Sequence, residues 1–118
     1  MKRNPLNYGA SSEQWWRNLL SSTNGYEPKT TFFSDLSIAE CFGHKAIQDT
    51  YCRVLKEYKS NIIYITEFVM CLNHKIWQLH KLDEPTARVY DELWRKSVDF
   101  VYDNFKGEDL RYYFEITD

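Results

Sequence analysis

The feature that most constrains the fold is an apolar stripe in the middle of the chain. Its members are separated alternately by three and four residues: Ile62, Ile65, Val69, Leu72, Ile76 and Leu79. This spacing places all six on one face of an α-helix. It predicts a core-facing helix of roughly 30 Å, with Phe68 and Trp77 widening the buried face. The repeat covers only about 2.5 heptads, too short to favour a self-pairing coiled coil.

A second long helix is predicted directly after this one. Asp83 is placed to cap it, and Pro85 suits the first helical turn, where its missing amide costs nothing. Lys106 and Gly107 have the chemistry of a helix end. One side of the helix is apolar and consists of Tyr90, Trp94, Val98, Val101 and Phe105. The short connection between the two helices predicts a long central antiparallel helical hairpin.

The remaining segments favour more helices and no strands. Ser37 and Glu40 fit a capping box at the start of a short helix that would end at Gly43, and a further helix is predicted from Lys45 to about Lys59. A last short helix is expected after Gly107. The fold class is therefore all-α, a small bundle of about four to six helices. Residues 31–118 form the helical domain, and residues 1–30 form a partly mobile amino-terminal segment with a short helix.

Composition limits the compartment and the class of partner. With 15 basic and 17 acidic residues the formal net charge is −2, which argues weakly against a dedicated nucleic-acid binder. Three dispersed cysteines do not form a disulfide framework. The longest apolar stretch, residues 62–72, contains Thr66 and Glu67 and is too short and polar to span a bilayer. We therefore expect a soluble cytoplasmic protein without a membrane partner.

Two Cys-x-x-His pairs are the most pointed chemical pattern. Cys41 lies three residues before His44, and Cys71 lies three residues before His74. Cysteine and histidine are the natural tetrahedral ligands of zinc, so a small Cys/His metalloprotein is one alternative. Ordinary packing of the cysteines and surface placement of the histidines is the favoured interpretation, and no cofactor is expected.

A degenerate helix-turn-helix at residues 37–54 is a second alternative. It would make the protein a small DNA-binding regulator that uses Lys45, Arg53 and Lys56. Asp49 and Glu57 interrupt this basic face, so nucleic-acid binding is not favoured. Only four scattered glycines are present, which excludes a glycine-rich phosphate loop, and no catalytic signature appears. We therefore expect a non-enzymatic protein.

Five segments carry a resemblance: TFFSDLSIAE (31–40), KAIQDTY (45–51), LNHKIW (72–77), ARVYDELW (87–94) and FKGEDL with the residues that follow it (105–118). They resemble a family of small uncharacterised proteins from gut-bacterial prophages and other mobile elements. The resemblance covers about residues 30–118. It implies a cytoplasmic accessory protein encoded by a phage or mobile element, and it supplies no functional residue.

The favoured function is a protein–protein interaction module with an unidentified protein partner, and a homo-oligomer stays open. Tryptophan and tyrosine dominate binding hot spots. The aromatic residues predicted to anchor a partner are Trp15, Trp16, Trp77, Tyr112 and Tyr113.

Overall fold

The computed structural model describes residues 31–105, which form four helices and no strand. The helices are α1 (Phe32–Phe42), α2 (His44–Tyr58), α3 (Ile62–Leu79) and α4 (Glu84–Asn104). The prediction of a small all-α bundle is confirmed. The short helices predicted within residues 1–30 and after Gly107 lie outside the described residues.

Helix α3 is the central element of the bundle. Ile65, Val69 and Leu72 of the apolar stripe are fully buried. The burial extends well beyond that stripe, because every residue between Ile65 and Ile76 except His74 is buried. This part of α3 is therefore buried on nearly all sides, whereas the apolar stripe predicted a single buried face.

Helices α3 and α4 form the predicted antiparallel hairpin. The Asp83 side chain caps α4 by accepting a hydrogen bond from the Thr86 amide at 3.2 Å, and Pro85 lies in the first turn. Tyr90 of α4 is fully buried in the core, and Trp94 is partly buried against it. The helix ends at Asn104, slightly before the predicted stop at Lys106 and Gly107.

Helix α1 begins five residues before the predicted capping box. Thr31 occupies the N-cap position without capping the backbone through its side chain, and its hydroxyl donates instead to Asp35 at 2.9 Å. Ser37 and Glu40 lie inside the helix, where both contact Lys75 of α3. The capping-box prediction was wrong, because these two polar side chains contact Lys75, which is distant in sequence.

A single residue, Gly43, joins α1 to α2. Its backbone has φ 112° and ψ 177°, a conformation open almost exclusively to glycine. The two helices consequently meet at a sharp corner, and the first residue of α2, His44, reaches the start of α4 at Thr86.

Aromatic side chains dominate the core where α1, α2 and α3 meet. The Phe32 ring packs edge-on against Tyr58 and Phe68, with centroids 5.4 and 5.2 Å apart. A second cluster, containing Val69 and Phe105, fills the other end of the α3–α4 hairpin. Within residues 31–105, no helix has the length and apolar character needed to cross a membrane.

Candidate functional site

The candidate site is a groove where the end of α3 runs beside the start of α4. The groove encloses about 450 Å³, within the range of small ligand-binding clefts. Its lining consists of Ile76, Trp77, His80, Glu84, Ala87, Arg88 and Asp91. We call this surface the hairpin groove.

The hairpin groove has an apolar floor and an aromatic wall. Ile76 and Ala87 are buried, whereas Trp77 leaves 53% of its surface exposed. The sequence placed Trp77 beside the core face of α3, so its exposure corrects that expectation. The His80 ring nitrogen Nδ1 lies 2.7 Å from the Trp77 carbonyl oxygen. This contact joins the residue that follows α3 to the last turn of the helix. Exposed apolar surface inside a concavity is typical of binding sites.

Charged side chains form the rim on the α4 side. Arg88 pairs with Glu84, and the Arg95 Nε donates to Asp91 Oδ2 at 2.9 Å. Both pairs link residues four apart on an exposed helix surface, so each contributes little to stability. The rim therefore offers charges that a binding partner can use.

A buried ion pair anchors the segment of α3 that leads into the groove. The Lys75 ammonium lies 2.6 Å from Glu40 Oε2 and donates to Ser37 Oγ at 2.8 Å. The Phe33 ring centroid lies 4.5 Å from the same nitrogen. These contacts fix α1 against α3 immediately before Ile76. The sequence analysis did not predict this cluster, although the position of Lys75 directly before Ile76 of the apolar stripe was a visible signal.

Tyr90 connects α4 to α1. Its hydroxyl donates to the Leu36 carbonyl oxygen at 3.3 Å. Burial raises the pKa of Tyr90 far above its ordinary value, and the nearby Glu40 carboxylate raises it further. The phenol therefore stays neutral and acts as a structural hydrogen-bond donor.

A polar chain links the start of α2 to the start of α4. The Thr86 hydroxyl donates to Asp83 Oδ2 at 2.8 Å, and His44 Nε2 lies 3.1 Å from the same hydroxyl oxygen. Because the hydroxyl proton points to Asp83, the oxygen accepts from His44, which is the reverse of a nucleophile–base pair. The hydrogen bonds from Thr86 lower the pKa of Asp83.

The structure does not bring the four predicted zinc ligands together. Cys41 is exposed and Cys71 is buried. His44 contacts Thr86, and His74 packs against the Phe33 ring with centroids 5.4 Å apart. No group of three or more potential metal-ligating side chains occurs among residues 31–105, and this part of the chain gives the Cys/His alternative no support.

The predicted DNA-binding residues lie on the exposed side of α2 without forming a basic stripe. Lys45 pairs with Asp49 at 3.0 Å, and Arg53 lies 3.6 Å from Asp35. Lys56 is exposed in the last turn of the helix. The single-residue corner at Gly43 is also shorter than the three- to four-residue turn of a helix-turn-helix. The geometry of residues 37–54 therefore does not match that motif.

Of the five predicted aromatic anchors, Trp77 belongs to the hairpin groove. Trp15, Trp16, Tyr112 and Tyr113 lie outside the described residues. No family model, curated protein or solved structure matches the chain. The resemblance to prophage proteins therefore stays a prediction.

Proposed function

We propose that this protein is a non-enzymatic helical interaction module that binds a protein partner in the hairpin groove. The observation that carries this proposal is the half-exposed Trp77 standing beside the buried Ile76 and Ala87. The partner segment supplies one or two large apolar side chains, as in helix-in-groove recognition.

Trp77 has the properties of a binding hot spot. Tryptophan contributes a large rigid surface at little entropic cost, and hot spots cluster in pockets that a surrounding rim shields from water. In the hairpin groove, Glu84, Arg88 and Asp91 supply this rim. Charges in such a position contribute more to orientation and partner choice than to affinity.

Side-chain contacts on both sides of Trp77 support the groove. Lys75, two residues before Trp77, is held by Glu40 and Ser37, and His80 contacts the Trp77 carbonyl. A site on well-packed helices loses little entropy on binding, which favours affinity. The resemblance to prophage proteins adds a context to this proposal, an accessory role in a phage or mobile element.

Trp77→Ala tests the proposal. The immobilised wild-type protein is exposed to an extract of cells that naturally produce it, and the retained proteins are quantified by mass spectrometry. We expect the variant to lose the partner, with an affinity drop of about 30-fold or more, because truncating a hot-spot residue costs about 2 kcal/mol or more.

Phe42→Ala is the matched control. Phe42 is also an exposed aromatic residue, 79% accessible at the end of α1, but it does not line the groove. It should retain the same partner as the wild type. Circular dichroism and thermal unfolding confirm that both variants fold. If Trp77→Ala retains every protein that the wild type retains, the groove is not the binding site.

A further inference from the structure

The exposed face of α4 carries charges of alternating sign. Glu84, Arg88, Asp91 and Arg95 are separated by four, three and four residues, so they form a single stripe along the helix. The stripe is about 17 Å long. All four side chains are accessible, from 31% for Asp91 to 78% for Arg88. We call this face the α4 charge stripe.

The α4 charge stripe is complementary to itself when two copies run antiparallel. A twofold axis between Arg88 and Asp91 places Arg88 opposite the partner's Asp91 and Glu84 opposite the partner's Arg95. Symmetry repeats both contacts, so all four pairs join opposite charges. A parallel, in-register arrangement instead brings like charges together.

We propose that a second copy of this chain docks antiparallel on the α4 charge stripe and covers the hairpin groove. This inference rests on the proposed function and names the partner. Glu84, Arg88 and Asp91 belong to both the stripe and the groove lining, so the two surfaces are continuous. The twofold places Trp77 of both copies on the same side of the paired α4 helices.

Apolar and charged contacts have different roles in this dimer. Exposed ion pairs stabilise association only weakly, so the half-exposed Trp77 supplies most of the affinity. The charges set the antiparallel register, as charged flanking residues do in coiled coils. The existing pairs within α4 do not prevent this, because a guanidinium has five donors and a carboxylate can accept several hydrogen bonds.

Two opposite charge reversals test the register. Arg88→Glu places a carboxylate opposite the partner's Asp91, and Asp91→Arg places a guanidinium opposite the partner's Arg88. Each variant alone should dimerise at least about tenfold more weakly than wild type. An equimolar mixture should restore a heterodimer, because all four contacts then join opposite charges again. Sedimentation equilibrium at low salt measures the mass, and the expected wild-type mass is twice 14.2 kDa.

Lys96→Glu is the matched control. It breaks the pair between Lys96 and Glu92, which also joins residues four apart, but it lies to one side of the stripe. It should dimerise like wild type. Circular dichroism establishes that the three variants are folded, and added salt should weaken the wild-type dimer.

The outcomes separate this inference from the proposed function. A wild-type chain that stays at 14.2 kDa up to about 1 mM, where even a millimolar complex is populated, overturns the self-association. A mixture that fails to restore the dimer overturns the antiparallel register. In both cases Trp77-dependent retention of a different protein would still support the proposed function. Dimerisation unchanged by Trp77→Ala overturns the part assigned to the groove.

Discussion

Lys75 carries its ammonium group in the interior of the bundle, where a charge is costly unless it is paired and hydrogen-bonded. Its side chain is 7% exposed, and its counterion Glu40 is 21% exposed. The hydroxyl of Ser37 and the face of the Phe33 ring complete its surroundings. The contribution of the pair to stability is therefore clearest when one partner is removed and the other stays in place.

Glu40→Ala should destabilise the protein by about 2–4 kcal/mol, because it leaves the Lys75 ammonium buried without a counterion. Urea unfolding measures the loss. Glu57→Ala is the control: it removes the carboxylate that lies 3.9 Å from the exposed Arg53, and should cost at most about 0.5 kcal/mol. The double variant Glu40→Leu/Lys75→Met should recover most of the stability. Equal losses from Glu40→Ala and the control would contradict this account.

Asp83 makes the stability of the protein depend on pH in acid. The hydrogen bonds from Thr86 lower the folded-state pKa of Asp83 below its ordinary value, so its contribution to stability is present above that ordinary value and is lost as the pH falls through the lowered pKa. Asp83→Asn keeps an N-cap side chain but removes the titration. Thermal unfolding between neutral and strongly acidic pH should show a shallower acid loss for the variant. Parallel curves for the two proteins would exclude this role.

At the scale of elements, the corner between α1 and α2 depends on the backbone of one residue. At Gly43 an added Cβ would meet no atom within 4 Å. The obstacle to a larger residue is therefore the positive φ rather than a steric clash with neighbouring side chains.

Gly43→Ala should cost about 1–3 kcal/mol, the strain of a side chain at this φ and ψ. Gly43→Asn should be destabilised as well, because asparagine tolerates the left-handed helical region but a ψ of 177° lies outside it. Ser60→Ala, in the exposed turn after α2, serves as the control and should be nearly neutral. Thermal or urea unfolding gives the comparison, and a wild-type midpoint for Gly43→Ala would show that the corner relaxes freely.

Local signals explain which elements the sequence predicted. The apolar stripe of α3 and the cap at Asp83 followed by Pro85 act over a few residues, so they could be identified without tertiary information. The start of α1 could not, because Ser37 and Glu40 fit a local cap equally well and their actual partner, Lys75, is more than thirty residues away.

The candidate site was predicted only in part, because contacts between helices decide which residues form it. Trp77 was named as an anchor on residue type alone. Its neighbours in the groove were not predicted as a group, because the alignment of α3 with α4 decides which residues of the two helices meet. Arg88, Asp91 and Arg95 lie on the solvent-facing side of α4.

For the whole molecule, the position of α3 predicts where the fold is most resistant to opening. It packs against α1, α2 and α4, so exposing its amides requires separating it from all three. Amides of residues 65–76 should exchange with solvent hydrogen most slowly, at a rate set by global unfolding. Those of α2, whose outer side is exposed, should exchange by smaller openings. Hydrogen–deuterium exchange read by mass spectrometry compares them, and slower exchange in α2 would contradict this hierarchy.

The nearly complete burial of α3 also limits how the chain can change in length. Inserting one residue rotates everything beyond it by about 100° about the helix axis. A helix with one solvent-exposed face can tolerate such a rotation, because only a few surface positions need to change their environment. Between Ile65 and Ile76 only His74 is not buried, so a rotation there cannot be accommodated at surface positions. Insertions and deletions should therefore be tolerated in the turns at residues 59–60 and 80–82, and rejected within this helix.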